Sequence, residues 1–471
     1  MTELWAHQVA AIERAKHRSS FAFFFDIGTG KTLAAIETIR YIYNLNQRIK
    51  RTLIFSPLSV CAQWKQEFLK FSKIPPDQIQ VLTMEGKKRV KLLESTGGPI
   101  ICTNYEATTI PDFYDALLRW KPEILIYDEL HWCKDSTTQR SKKLLPFSEG
   151  SEYRYGLTGT PILQSPMDLF GQYRLLDLGQ EFGTSYFRFR KLYCMDRNAG
   201  MPKHRYFPKW EVKPEAIPVF AKILAETSAQ ANKSECLDLP PLLKIEVPIE
   251  MSPEQTKLYD TMKRDFIVEF KGEIATAEFA MTKSLRLQQI LCGFVSSGEE
   301  DSSPRWVEDN TRLRALEELL ESLSGKKVII WTVFQPTYKV IGKLCEKLGR
   351  SYAFLTGEQS PKQKQESIDT FTKGDVETII SNPAAGGTGI NLTEASYSIY
   401  FARTYSLAHY LQSEGRNYRG GSLEKVTHYH LVTKDSLDEA VLDALQNKKN
   451  VGDTIIAYAK AEIEKQRKDD L

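Results

Sequence analysis

Gly28-Thr29-Gly30-Lys31-Thr32 follows an apolar run, Phe21 to Phe25, and precedes a helical pattern with Leu33, Ile36, Ile39 and Tyr43 on one face. A buried strand, a glycine loop, Lys-Thr and a helix, in that order, suit a phosphate-binding loop. Glycines let backbone N–H groups turn toward phosphate oxygens, and the helix N-terminus adds its positive dipole end. Lys31 would reach the β- and γ-phosphates of a nucleotide, and the Thr32 hydroxyl would hold Mg²⁺. The usual first glycine of such a loop falls on Phe25, so only the G-x-G-K-T half is present. A plain strand-to-helix turn uses the same residues, and the loop alone does not separate the two readings.

A second set suits the same chemistry. Ile124-Leu125-Ile126-Tyr127-Asp128-Glu129-Leu130-His131 is an apolar strand ending in two acids. Phosphoryl transfer needs one carboxylate near Mg²⁺ and another group to orient the attacking water. Asp128 fits the metal role and Glu129 the water-activating role, although a strand ending in a solvated acid pair is common. Tyr155-Gly156-Leu157-Thr158-Gly159-Thr160-Pro161 ends the next strand with hydroxyls and glycine, as a simple turn also would. Far downstream, Gly386-Gly387-Thr388-Gly389 is a run of small residues that lets backbone approach a ligand closely. Arg416 and Arg419 stand three apart, on one helical face, inside Gln412–Gly421. Such a pair is either a solvated surface or an arginine finger for a transferring phosphoryl group.

The elements that must position these residues alternate. Strand-like runs at Phe21–Phe25, Thr52–Phe55, Pro99–Cys102, Glu123–Tyr127 and Tyr153–Leu157 are separated by helical patterns such as Ser59–Phe71 and Asp112–Trp120. Alternation predicts a parallel sheet with helices on both faces, and ligands then bind beyond the carboxyl ends of the strands. From 165 to 305 strand signals thin out, and long helical stretches take over at Ser252–Phe270 and Ala277–Leu291. A second alternating block follows, with strands at Lys327–Trp331, Ser351–Leu355, Glu377–Ser381, Ser398–Phe401 and Lys425–Val432. The expected organisation is an α/β lobe over 1–164, helical insertions and a linker over 165–305, a second α/β lobe over 306–452, and a charged terminal helix over 453–471.

Composition narrows the class. The 471 residues are 42% hydrophobic and 26% charged, as in an ordinary globular protein. A formal charge of +3 neither demands nor excludes nucleic acid, so local patches must decide. The seven cysteines never stand in C-x-x-C spacing, which argues against a zinc cluster. The start, Met-Thr-Glu-Leu-Trp, lacks a signal-peptide pattern, and no apolar run reaches the ~18 residues of a membrane span. The expectation is an intracellular chain with no membrane partner: cytoplasmic in a bacterium or virus-infected cell, nuclear in a eukaryote.

Taken in order, these motifs resemble the superfamily 2 helicases, and within them the Swi/Snf-type DNA translocases. The resemblance includes Gln8 ahead of the loop, Gly28–Thr32, Ser56-Pro57-Leu58-Ser59 with Gln63-Trp64, and Thr103-Asn104-Tyr105-Glu106. It continues through Asp128-Glu129-Leu130-His131, Leu157–Pro161, Leu285–Ile290, Lys327–Trp331, Gly386–Leu392 and Gln412–Arg419. It implies two RecA-like P-loop NTPase lobes with parallel sheets, ATP and Mg²⁺ as cofactors, and DNA as partner. In that frame Gln8 would read the adenine, although taken alone it reads better as a surface side chain. Gly28, Thr29, Gly30, Lys31 and Thr32 would hold phosphate, joined by Gly389 and Gln412. Thr32 and Asp128 would hold Mg²⁺, Glu129 would be the catalytic base, and Lys31, Arg416 and Arg419 would stabilise transferring charge. His131, Thr158 and Thr160 would couple nucleotide to DNA, and Pro57, Thr103, Tyr105 and Thr388 would mark loops that track one strand. Two positions depart from the family pattern: Leu130 replaces the usual alanine, and Gly421 the frequent glutamine.

The resemblance implies a DNA-stimulated ATPase that moves on or unwinds duplex or branched DNA in replication, recombination or repair, working as a monomeric motor. A motor subunit of a restriction or chromatin-remodelling complex is the alternative within motors, and a non-catalytic nucleic-acid-binding module the alternative outside them. For substrate choice the stretch Tyr186–Trp210 stands out. It carries Arg188, Arg190, Lys191, Arg197, Lys203, Arg205 and Lys209 against one acid, Asp196, with aromatics interleaved. Cations bind phosphate by releasing counterions, and exposed rings stack on unpaired bases. Lys203, Arg205 and Lys209 are the DNA candidates. The opposing reading places Phe187, Phe189 and Tyr193 in the core and leaves the cations solvated. Gly183–Tyr186 and Leu192–Cys194 also look like the fork-remodelling, annealing-helicase branch of the family.

Overall fold

In the computed structural model, the described residues are 3–96, 98–162, 165–202, 206, 208, 210–236, 241–272, 277–296, 304–384, 390–419, 424–448 and 454. They form two units, one built on Met1–Asp238 and one on Leu239–Gly386 and Ile390–Leu471. The strands, in chain order, are β1 (Ser20–Phe25), β2 (Thr52–Ser56), β3 (Ile79–Val81), β4 (Ile100–Asn104), β5 (Ile124–Asp128), β6 (Tyr153–Leu157), β7 (Cys194–Asp196), β8 (Trp210–Val212) and β9 (Ser228–Ala231) in the first unit. The second holds β10 (Leu242–Ile249), β11 (Phe294–Val295), β12 (Arg305–Trp306), β13 (Val328–Trp331), β14 (Tyr352–Leu355), β15 (Thr378–Ser381), β16 (Tyr397–Tyr400) and β17 (Val426–Thr433).

The first sheet runs β3-β4-β2-β5-β6-β1-β9, every pair parallel. Continuous apolar runs suit strands buried on both faces. Phe21, Phe23, Phe25, Ile54 and Ile126 pack with Trp64 and Phe68 on one face, and Leu53, Phe55, Leu125 and Tyr127 with Phe113 and Phe147 on the other. Register aligns the strand ends. Phe23 lies beside Leu157, Leu157 beside Asp128, and Ser56 beside Asn104. After β1 the chain passes over β6 and β5 to reach β2, so the order reverses where the glycine loop leaves the sheet, the place where parallel sheets bind ligands.

The second sheet runs β10-β17-β16-β13-β15-β14 and is also parallel throughout. The fold is α/β with two parallel-sheet lobes. The middle of the chain is less helical than its composition suggests. Residues 165–238 belong to the first unit, where β9 extends the first sheet and β7 pairs with β8 in a short antiparallel ribbon. Residues from 239 belong to the second, where β10 forms the edge of its sheet. Leu285–Ile290 lies on the helix Ala277–Leu291, whose Leu287, Ile290 and Leu291 enter the second unit's core. The terminal helix expected over 453–471 lies outside the described residues, Thr454 excepted. Among the described residues no helix is long and apolar enough to cross a membrane.

Candidate active site

The loop between β1 and the helix Lys31–Asn46 turns on two left-handed glycines, Gly28 at φ 88° and Gly30 at φ 79°. Thr29 closes it, with its N–H and its Oγ1 both bonded to Asp26 O at 3.2 and 2.7 Å. Lys31 and Thr32 then open the helix, half-buried, at its positive end. The helix Ala6–Ala15 clamps the loop from outside: His7 Nε2 lies 2.9 Å from Thr29 O, and Gln8 Nε2 donates to Gly30 O at 3.0 Å. A methyl at Gly30 would overlap that amide. Gln8 is therefore not a surface residue. It is 1% exposed, and its Oε1 accepts from Trp5 N at 2.9 Å. One N–H and one lone pair of the amide are uncommitted by these two bonds. Phe25, where the usual first glycine is missing, packs its ring 5.3 Å from His7.

Two strands away, Asp128 ends β5 and Glu129 follows it, each 4% exposed. Asp128 Oδ1 accepts from Glu129 N at 3.0 Å, and Oδ2 from the Trp64 indole N–H at 2.9 Å. Burial, then the neighbouring Glu129 charge, raise the Asp128 carboxyl above the usual carboxylate range, although Lys31 and Trp64 both oppose the shift. The hard oxygen donors of two neighbouring buried acids suit a divalent cation such as Mg²⁺. Glu129 itself sits at φ 55°, ψ 50°, a left-handed conformation that costs a non-glycine residue ~1–3 kcal/mol and clusters at functional sites.

β6 supplies the third group. His131 Nδ1 lies 2.8 Å from Thr158 Oγ1 and 3.3 Å from Glu129 Oε2. Thr158 is fully buried, its N–H donates to Phe23 O at 3.2 Å, and its Oγ1 accepts from Thr160 N at 3.1 Å. A Cβ on Gly159 would stand 3.1 Å from Phe25 O, so this turn lies directly against the start of the glycine loop. The chain thus brings the glycine loop, the acid pair, His131 and Thr158 to one end of one sheet.

The residues expected to mark loops that track nucleic acid turn their side chains inward. Pro57, Thr103 and Tyr105 are all buried. Thr103 Oγ1 donates to Leu82 O at 2.7 Å, and Tyr105 OH to Asp128 O at 2.7 Å. These side chains hold the loops and do not face solvent. The exposed residues beside them are Leu58, at 54%, Ser59 and Glu106. The sequence carried that signal: Val60, Cys61, Trp64 and Phe68 form a buried helical stripe that leaves Leu58 and Ser59 off it. In Tyr186–Trp210, Phe189 is core with Phe182 and Phe220, whereas Phe187 is 68% exposed beside Arg188 and Lys191. Thr388, Gly389, Lys203, Arg205 and Lys209 lie outside the described residues.

In the second unit the helix Leu407–Asn417 ends before Arg419, so Arg416 and Arg419 do not share a helical face. Arg416 is 2% exposed and donates to Ile390 O at 3.3 Å; Arg419 is half-buried, and Gln412 is 8% exposed. Asn417 anchors the helix end, bonding Ala395 O and the His428 ring, each at 3.0 Å.

The SNF2-related domain family matches residues 11–294, and the helicase conserved C-terminal domain family matches residues 311–421. The p41 protein of Acyrthosiphon pisum secondary endosymbiont phage 1 is 23% identical over 92% of this chain and 94% of its own length. The DNA annealing helicase and endonuclease ZRANB3 of Mus musculus is 24% identical over 90% of this chain, which spans only 38% of the mouse protein. Among solved structures, the SWI2/SNF2 ATPase core of Sulfolobus solfataricus in complex with dsDNA is 24% identical, with 95% of this chain and 91% of that chain covered, at a TM-score of 0.42.

Proposed function

The chain belongs to the SNF2-related family of ATP-hydrolysing helicases and translocases, and we propose that it is a DNA-stimulated motor acting where duplex meets unpaired strand. The observation that supports a working ATPase is the shared strand-end location of the glycine loop, Asp128, Glu129, His131 and Thr158.

In this reading Gly28–Thr32 and Lys31 bind the nucleotide phosphates, and Thr32 and Asp128 hold Mg²⁺. The bound cation would supply charge neutralisation on the phosphates. Trp64 and the Glu129 N–H orient the Asp128 carboxylate. Glu129 accepts the proton of the attacking water, with His131 and Thr158 holding its surroundings in place. Gln8 has an N–H and a lone pair to offer the adenine edge. Arg416 and Arg419 stabilise the charge of the transferring phosphoryl group, and Gln412 and Gly389 join the nucleotide-binding set.

DNA as partner is supported by the family and by Phe187, whose exposed ring has Arg188 and Lys191 near it in sequence and suits stacking on an unpaired base. Lys203, Arg205 and Lys209 extend the same basic stretch in sequence. The likeness to an annealing helicase favours branched DNA. The test is a steady-state ATPase panel with single-stranded, duplex, forked and four-way DNA, with strand displacement followed in parallel. We expect greater activation by forked than by linear duplex, and loss of that difference in Phe187→Ala. Equal activation by every DNA would overturn the branched-DNA assignment, and no activation by any would overturn DNA as the partner.

A further inference from the structure

Glu129 takes its direction from a peptide plane held at both ends. The N–H of the Asp128–Glu129 peptide donates to Asp128 Oδ1, and its carbonyl accepts from Tyr105 OH at 2.7 Å. That plane carries a residue in the left-handed region, so the bonds that hold it oppose a standing tendency to relax. Tyr105 reaches it from another strand end, at the start of the turn Tyr105–Thr109 after β4.

The far side of Tyr105 leads to the surface. Its ring packs 6.0 Å from Phe55 and 5.7 Å from Trp132. The Arg140 guanidinium lies over both outer rings, 5.8 Å from Tyr105 and 5.1 Å from Trp132. Arg140 pairs with Glu106, the residue next to Tyr105, at 3.1 Å, and both side chains are well exposed, at 35% and 51%. Glu106 has a second partner, Asn104 Nδ2 at 3.0 Å, and Asn104 is itself held by Arg89 at 3.0 Å. Lys143, on the helix Gln139–Gly150, donates to Thr108 O on the same turn at 3.1 Å.

We propose that Tyr105 is a positioning residue that ties a surface phosphate-binding group, Arg140 paired with Glu106, to the Asp128–Glu129 peptide. The ligand class is a nucleic-acid phosphodiester, and the proposal rests on the DNA reading above. An exposed ion pair opens at little cost, and arginine binds a phosphate through two parallel N–H bonds. When a backbone phosphate takes Arg140, Glu106 stays on Asn104 and the guanidinium leaves its place over the Tyr105 ring. The Arg140 pair therefore has two arrangements, one with Glu106 and one with phosphate. The Tyr105 hydroxyl carries the difference to the peptide that aims Glu129.

The test is ATP turnover by the full chain titrated with a defined DNA duplex, for the wild type, Tyr105→Phe and Arg140→Ala. Tyr105→Phe keeps the ring and removes only the hydroxyl. Its ratio of stimulated to basal turnover should fall by about fivefold, the scale of one lost hydrogen bond. Its half-stimulating duplex concentration should stay within about twofold of the wild type, since uniform binding is untouched. Arg140→Ala should do the reverse, raising the half-stimulating concentration and lowering the salt slope by about one. A wild-type stimulation ratio in Tyr105→Phe, or an unchanged duplex titration in Arg140→Ala, overturns the proposal. Absence of stimulation in the wild type instead overturns the DNA reading and removes the proposal with it. If Tyr105→Phe unfolds at the assay temperature, the Arg140→Ala titration decides alone.

Discussion

Leu130 fills the space that a side chain at position 156 would need: a methyl on Gly156 would overlap Leu130 Cδ2 and stand 3.5 Å from Leu176 Cδ1. Leu130 follows the acid pair, and the usual alanine of this family is absent there. The glycine one strand over accommodates the larger residue. Gly156→Ala should therefore destabilise by ~1–3 kcal/mol, the cost of overpacking a filled core. Leu130→Ala in the same chain should recover part of that loss, because neighbouring substitutions couple. Thermal unfolding of the two single variants and the double variant checks this. Additive losses would show that the two side chains do not compete for one space.

Strand positions were legible because buried parallel strands read as unbroken apolar runs. β1, β5 and β6 fall within a residue of where Phe21–Phe25, Glu123–Tyr127 and Tyr153–Leu157 place them. β9 was not legible: Ser-Ala-Gln-Ala has no branched or aromatic residue, and it is a strand because its backbone pairs with β1. β10 hid for another reason. It is an edge strand carrying Lys244, Glu246 and Pro248, and edges tolerate charge and proline where central strands do not. For the candidate site, the strand-end places of Lys31, Asp128 and Glu129 were legible from order and residue type. The inward aim of Thr103 and Tyr105 was not, because a strand-end hydroxyl faces solvent or core according to packing from other strands. Neither was the tie from Trp64 to Asp128, which joins residues 64 positions apart.

The acid pair and the lysine should separate by substitution. Glu129→Gln keeps shape but removes proton acceptance, so nucleotide should bind and persist unhydrolysed. Lys31→Ala should lose turnover through weaker phosphate binding while the chain stays folded. Equilibrium binding of a fluorescent ATP analogue, read beside single-turnover hydrolysis, distinguishes the two. Weak binding with normal chemistry in Glu129→Gln would reverse the assigned roles.

Acid should loosen the edge of the first unit at a definable place. Glu123 precedes β5 and is held down to about 2, first by its hydrogen bond to Arg48, against burial, with help from Arg51 N–H and the charges of Arg48 and Lys50. A carboxyl depressed in the folded state stabilises fully above its unfolded value of 4.5, and that contribution is lost as pH falls toward 2. Glu123→Gln should thus lower Tm at neutral pH and show a shallower fall in Tm between about pH 5 and pH 2. Parallel Tm–pH curves for variant and wild type would show that Glu123 contributes nothing to the acid transition.

Arg416 and Arg419 should both matter for turnover, and Arg416 for stability as well. Arginine fingers contribute about 10³–10⁵ in rate to phosphoryl transfer. Arg419 is half-buried and lies past the helix end, and Arg419→Ala should cut kcat by orders of magnitude. Arg416 is 2% exposed and donates to Ile390 O at 3.3 Å. Arg416→Ala should lose turnover on a similar scale and also lower Tm, because the buried Arg416 side chain and its bond to the Ile390 carbonyl are lost. Arg416→Lys separates the two effects: it restores a donor and a charge without the planar fork, so Tm should recover more than kcat. Steady-state kinetics with nucleotide affinity and calorimetry on the same preparations decide the matter. A loss below about tenfold in Arg419→Ala, set against the range for such fingers, would return that residue to the solvated surface.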